Sequence, residues 1–230
     1  MKTIGLIGGM SWESTVEYYR IINQEVSRRL GGFHSGKILM YSVDFGEVES
    51  LMREGKWDRI GDRVAAIART LEAGGADLVL LCTNTVHKVA DRIETAVQVP
   101  FIHIADATGD AIVGKGLTRV GLLGTRYTME EDFYRERLAQ KFGLSVLIPP
   151  DEKRGMINDV IFNELCKGVV KPSSRNAFKG VIEELGARGA QGIILGCTEI
   201  PMLMGSEDCG IPLLDTTRIH ALRAVDHALD

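Results

Sequence analysis

Leu78-Val79-Leu80-Leu81-Cys82-Thr83-Asn84-Thr85 and Gly192-Ile193-Ile194-Leu195-Gly196-Cys197-Thr198-Glu199 share one order: a short apolar run, a cysteine, a threonine, then an amide or an acid. The two cysteines are 197 − 82 = 115 residues apart. A second match has nearly the same offset. Lys2-Thr3-Ile4-Gly5-Leu6-Ile7-Gly8 returns as Thr118-Arg119-Val120-Gly121-Leu122-Leu123-Gly124, and Gly5 to Gly121 is 116 residues. Two matches at one offset indicate two copies of one unit. Each copy is expected to bring one thiol to a shared cleft, which suits a reaction served from both faces of one atom.

Working outward, apolar runs alternate with segments of helical length. The expected strands are Thr3–Ile7, Lys37–Val43, Asp77–Leu81, Phe101–His103, Arg119–Leu123, Ser145–Ile148, Gly192–Leu195 and Pro212–Leu214. Most are continuous apolar runs, the pattern of parallel strands covered on both faces. The fold class predicted is α/β: two similar lobes, each with a mainly parallel sheet flanked by helices, related by pseudo-twofold symmetry. The expected boundaries are a first lobe over 1–99, a second over 100–209, and a strand and helix over 210–230 that complete the first. Ala105–Val113 is then the counterpart of the final helix, and the two are expected to swap between lobes.

Helix ends are also legible. Ser14-Thr15-Val16-Glu17 fits a capping box, with Ser11 as a competing cap, and Tyr18, Ile22 and Val26 fall on one face. Thr128-Met129-Glu130-Glu131 is a second capping box, and Gly143 can end the helix that follows.

The chain has 230 residues, 45% of them hydrophobic, which fits one large or two small domains. With 27 basic and 31 acidic side chains the net charge is −4, and no basic block or stripe occurs, so nucleic acid is not an expected partner. The N-terminal apolar run meets Trp12-Glu13 too soon for an ordinary signal segment, and no apolar run approaches a membrane span. The four cysteines, Cys82, Cys166, Cys197 and Cys209, have no C-x-x-C spacing. Reduced thiols in a cytoplasmic protein are the reading this favours.

Cys82 and Cys197 fall at strand ends, where open α/β sheets place ligands. Helices are expected to begin just after them, and helix-start N–H groups favour anions and can lower a cysteine pKa. A lone free cysteine is commonly a core residue, so Cys166 and Cys209 read as structural. The duplicated context singles out the other two. Thr83, Asn84 and Thr85 offer hydroxyls, an amide and backbone donors; Thr198 and Glu199 offer a hydroxyl and a carboxylate. Each could instead cap a following helix.

The turns Gly8-Gly9-Met10 and Gly124-Thr125-Arg126 follow the repeated strands. Neither completes a dinucleotide fingerprint, and no G-K-[ST] phosphate motif occurs. The five histidines show no metal-binding spacing.

Over essentially its whole length the chain resembles the aspartate/glutamate racemase family. The residues that carry the likeness are Gly8-Gly9-Met10, Cys82-Thr83-Asn84-Thr85-Val86-His87 and Gly196-Cys197-Thr198-Glu199. The resemblance implies pyridoxal-phosphate-independent racemisation between two similar lobes, with no cofactor and no metal. It implies that Cys82 and Cys197 exchange the proton. Thr83, Asn84 and Thr85 would hold the α-carboxylate region, helped by Met10 and Thr125. Thr198 and Glu199, beside the second thiol, are also expected to contact the substrate. Arg53 and Lys167 occupy places that look like side-chain carboxylate anchors. A small amino-acid substrate and a homodimer are further implications; a cleft that closes on substrate is expected because an anionic intermediate needs aligned donors and excluded water.

One thiolate would take the α-proton while the opposite thiol supplies a proton to the other face. An ordinary thiol pKa of about 8.5 makes a more usable base than a carboxylate. Donors at the α-carboxylate would stabilise the enediolate-like charge. Two alternatives share the same residues. A maleate-type isomerase uses one cysteine as a nucleophile, and hydantoin racemases are related. A non-catalytic amino-acid-binding protein would bind without turnover.

Overall fold

Each of the two repeated apolar runs becomes the centre of a parallel sheet. The structure, a computed structural model, describes residues 1–230, Ser206 by its backbone alone. The chain divides into two compact units, Met1–Ile104 with His220–Asp230, and Ala105–Ile219.

In the first unit β1 (Ile4–Gly8), β2 (Ile38–Ser42), β3 (Leu78–Leu81) and β4 (Phe101–Ile102) pair in the order β2-β1-β3-β4, all parallel. Between them run α1 (Trp12–Leu30), α2 (Phe45–Arg53), α3 (Trp57–Ala73) and α4 (Ala90–Glu94). β1 and β3 are buried at every residue, so both sheet faces are covered. On one face Ile4, Leu6, Leu78, Leu80 and Ile102 form a single core with Tyr18, Ile22 and Val26 of α1. On the other, Gly5 lets α3 approach: a Cβ there would lie 3.4 Å from that of Leu71. β2 departs from the doubly covered reading. It is an edge strand, and Met40 and Tyr41 are exposed.

The second unit opens with α5 (Ile104–Gly114), whose first residue still belongs to the first unit. Its strands β5 (Arg119–Gly124), β6 (Ser145–Leu147), β7 (Ile193–Gly196) and β8 (Leu213–Asp215) pair in the order β6-β5-β7-β8, again all parallel. The helices are α6 (Arg126–Glu130), α7 (Asp132–Phe142), α8 (Asp151–Asn163), α9 (Pro172–Ala187), α10 (Ile200–Leu203) and α11 (Thr216–Leu229). The strand order repeats that of the first sheet, as the 115-residue offset requires, and all eight strands fall where the apolar runs predict them. α5 is fixed to this unit by Asp106, which accepts from Arg137 at 2.6 Å and from Lys141 at 2.6 Å, both on α7.

The boundaries differ from 1–99, 100–209 and 210–230. Val79 N–H donates to the Pro100 carbonyl at 2.9 Å, so β4 is zipped onto β3 and the first unit runs on to Ile104. Ile193 N–H donates to the Pro212 carbonyl at 2.9 Å, so β8 stays in the second sheet and does not complete the first. The part of the tail that joins the first unit is His220–Asp230, whose Ala221, Ala224, Val225 and Ala228 pack into the first core.

Two caps also move. α1 starts at Trp12 with Ser11 at its N-cap, one turn before the capping box at Ser14. The Ser11 carbonyl accepts from Ser14 Oγ at 3.1 Å and Thr15 Oγ1 at 2.9 Å, which draws the helix start back. α6 is capped by Thr125, whose hydroxyl accepts from Thr128 N–H, so Thr128 lies inside the helix. Gly143 ends α7 in the left-handed conformation at φ 67°, which glycine adopts without strain.

His220 is fully buried against the first core. Its Nε2 faces the Ile102 carbonyl at 2.7 Å and therefore carries the proton; its Nδ1 accepts from the Tyr18 hydroxyl at 2.8 Å. Burial pushes its pKa down to about 4. In the unfolded chain a histidine protonates near 6.5. Between these values the unfolded state binds the extra proton, so stability is full above about pH 6.5 and falls as the pH drops toward about 4, by about 3 kcal/mol in all. Urea midpoints measured across this window should fall with acid, and His220→Gln should flatten that fall. An equal slope in both proteins would assign the acid sensitivity to other groups.

Candidate functional site

Cys82 follows the last residue of β3, and its N–H continues the ladder by donating to the Ile7 carbonyl at 2.9 Å. The chain then turns sharply: Thr83 N–H donates back to the Leu81 carbonyl at 2.9 Å. A 3-10 turn over Thr85–Val89 follows. Cys82, Thr83, Asn84 and Thr85 are all buried. Asn84 stands at the start of the turn without capping it through its side chain.

Beside β3, β1 ends in the turn Gly8-Gly9-Met10, and Met10 is buried. Gly9 has φ 92°, and a Cβ on it would lie 2.3 Å from the Val43 carbonyl oxygen, so only glycine fits. Its N–H donates to Thr15 Oγ1 at 2.9 Å. Arg53 is separate from this group in character. It lies in the last turn of α2, exposed, with Glu49 at 3.7 Å.

In the second unit Cys197 follows β7 as Cys82 follows β3. Its Sγ donates to Glu199 Oε2 at 2.8 Å, and Thr198 Oγ1 donates to the same oxygen at 3.0 Å. All three residues are buried. The strand end is held from α11, where Thr216 Oγ1 donates to the Leu195 carbonyl at 2.8 Å. Thr125 is also buried, at the end of β5, the neighbour of β7. Lys167 closes the 3-10 turn Leu165–Lys167 and is exposed.

The electrostatics correct one expectation. The Glu199 backbone N–H at the start of α10 draws Cys197 down, but burial and the Glu199 carboxylate outweigh it, and no such donor offsets burial at Cys82. Only a 3-10 turn follows Cys82, and α10 after Cys197 has four residues. Burial pushes the Cys82 thiol up. Burial, and then the Glu199 carboxylate, push Cys197 up as well. Both cysteines therefore rest as thiols.

Within the first unit the structure gathers Met10, Cys82, Thr83, Asn84 and Thr85 at strand ends; within the second it gathers Thr125, Cys197, Thr198 and Glu199. Arg53 and Lys167 are surface residues. Local sequence gave no signal for Thr15 or Thr216. One acts through a turn six residues back, the other through a strand twenty-one residues away. Among the described residues, no group of three or more His, Cys, Asp or Glu could hold a metal ion. Among them, too, no helix is long and apolar enough to cross a membrane.

Comparisons with known proteins match the fold of the whole chain. A candidate Asp/Glu racemase from Yersinia pestis superposes with a TM-score of 0.93 at 52% identity, over 100% of both chains. An aspartate racemase homologue from Pyrococcus horikoshii OT3 superposes at 0.86 with 34% identity, again over 100% of both. A glutamate racemase from Ectopseudomonas mendocina (strain ymp) is 29% identical over 167 residues, 72% of this chain and 61% of that enzyme, so the match spans about three-fifths of the relative. The family model described as Asp/Glu/Hydantoin racemase matches residues 7–224. The chain belongs to the Asp/Glu/Hydantoin racemase family.

Proposed function

We propose that this protein is a cofactor-independent amino-acid racemase in which Cys82 and Cys197 act as acid and base on opposite faces of the substrate α-carbon. One observation carries the reading: a buried thiol at the same position of two sheets with the same strand order, each followed by buried polar groups. Membership of the family and the full-length likeness to a candidate Asp/Glu racemase support it.

The chemistry has three demands. A weakly acidic α-proton needs a base, the planar carbanion needs its charge spread, and the far face needs an acid. A thiolate is basic enough for the first, and a resting thiol serves the third. Donors from Thr83, Asn84 and Thr85 would hold the carboxylate and stabilise the charge that grows on it. Glu199 adds a device at the second thiol. Its carboxylate already accepts the Cys197 proton in a hydrogen bond, so it can receive that proton as the thiolate forms.

The preferred substrates in this reading are aspartate and glutamate, with Lys167 and Arg53 as candidate partners of the side-chain carboxylate. Met10 and Thr125 complete the set of contacts. The homodimer is part of the same proposal. On α1, Tyr19 is exposed, whereas Tyr18 and Ile22 are core.

Three outcomes test this reading. Cys82→Ser and Cys197→Ser should each lower inversion of L- and D-aspartate or glutamate by about a thousandfold, the scale of losing a positioned acid or base. Near-normal inversion by either variant defeats the two-thiol assignment, and turnover of hydantoins or maleate alone defeats the amino-acid reading. Glu199→Gln removes the charge that raises Cys197, so iodoacetamide should label Cys197 several-fold faster at neutral pH while racemisation falls; unchanged labelling would contradict the pairing. Lys167→Met and Arg53→Met should each raise KM for aspartate and glutamate about tenfold, equivalent to about 1.4 kcal/mol, with little change for neutral amino acids. An equal change across all amino acids would remove their role.

A further inference from the structure

His87 is the one polar member of the Cys82-Thr83-Asn84-Thr85-Val86-His87 motif that the reaction scheme leaves without a task. It is buried, and both ring nitrogens face backbone groups. Nδ1 lies 2.6 Å from the Thr83 carbonyl oxygen. Nε2 accepts the Ile104 N–H at 3.2 Å. A carbonyl can only accept and an amide N–H can only donate, so these partners fix the tautomer. Nδ1 carries the hydrogen, Nε2 is bare, and the ring is neutral.

The consequence is local and mechanical. The Thr83 carbonyl belongs to the residue next to the thiol, and Ile104 is the first residue of α5, where a helix leaves its N–H groups without intrahelical partners. His87 also closes the turn through its backbone, donating its N–H to the Asn84 carbonyl at 3.1 Å. The segment from Thr83 to His87 is thereby tied twice to itself and once to the exit of β4. The ring is held in place by His103, whose centroid is 4.5 Å away edge-on, by Phe101 at 5.7 Å and by His220 at 6.0 Å.

We infer that His87 is a positioning residue: its neutral ring clamps the Thr83 carbonyl to the Ile104 amide and so sets the geometry of Cys82 and of the donors at Thr83, Asn84 and Thr85. The inference rests on the reading of Cys82 as an acid/base, and it adds a role that is specific to one of the two thiols. The second copy has no counterpart, since 87 + 115 = 202 is a methionine.

Two variants separate the halves of the clamp. In His87→Asn the side-chain amide can reach the Thr83 carbonyl in place of Nδ1. In His87→Gln the longer amide can offer its oxygen to the Ile104 N–H in place of Nε2 but not the donor at Nδ1. Each is made with and without Cys197→Ser, which leaves Cys82 as the only motif thiol. Exchange of substrate α-protons with deuterated solvent is followed for each enantiomer, and amide deuterium uptake is followed for the peptide spanning Cys82–Val89. For His87→Gln, exchange of the enantiomer served by Cys82 should fall about 100-fold, as for an ångström-scale misplacement. Exchange of the enantiomer served by Cys197 should fall far less, and amide uptake at Cys82–Val89 should quicken. His87→Asn should recover most of both signals.

Equal loss for the two enantiomers, or identical behaviour of the Asn and Gln variants, overturns the clamp in favour of a general packing role. If the unmodified protein neither inverts nor exchanges either enantiomer, the racemase reading fails. The amide-uptake comparison of the two variants still decides whether His87 holds the turn.

Discussion

A thiol buried at the carboxyl end of a central parallel strand is the constraint on which the rest of the site depends. β3 and β7 are covered on both faces, so Cys82 and Cys197 leave the sheet already out of water. Desolvation penalises the thiolate and holds each cysteine protonated at rest. That constraint makes the surrounding polar groups meaningful. A buried carboxylate, hydroxyl or amide is costly unless it has partners, and here such groups follow each thiol in sequence. In the proposed reaction, the energy spent on keeping them buried would be recovered as charge develops on a bound carboxylate.

The two copies are alike in backbone and unlike in charge. The repeat offset makes Asn84 the counterpart of Glu199, since 199 − 84 = 115. Cys197 therefore has a carboxylate at 2.8 Å, and the residue at that place after Cys82 is a neutral amide. Conversely, His87 braces the turn after Cys82, and a methionine takes that place after Cys197. A racemase must serve two mirror-image substrates with L-residues, so its two halves have no reason to be chemically identical. The duplication supplies two thiols in equivalent frames, and the groups around them differ.

Much of this was legible in the chain. The eight strands are short apolar runs with glycine or polar ends, and local composition is enough to find them. The thiol pair was legible because a repeat offset is a property of sequence alone. What could not be read was decided by distant partners. Ser11 prevails over Ser14 as the cap of α1 because two side chains converge on its carbonyl. β4 and β8 stay with their own sheets because ladder bonds to β3 and β7 hold them, a pairing that apolar content does not specify. The sign of the thiol shifts was missed because helix-start donors are visible in sequence and the degree of burial is not. Arg53 and Lys167 lie outside the repeated motifs, and both are exposed.

The central claim is that two different thiols handle the two faces of one carbon. It is tested most directly by racemising a single protiated enantiomer in deuterium oxide and reading the α-position of both enantiomers by chiral mass spectrometry at low conversion. The two-thiol account predicts that the newly formed enantiomer carries deuterium from the first turnovers while the unconverted enantiomer stays protiated. Protium retained in the product, or deuterium entering the starting enantiomer as fast as the product, would mean that one base serves both faces, and would contradict it.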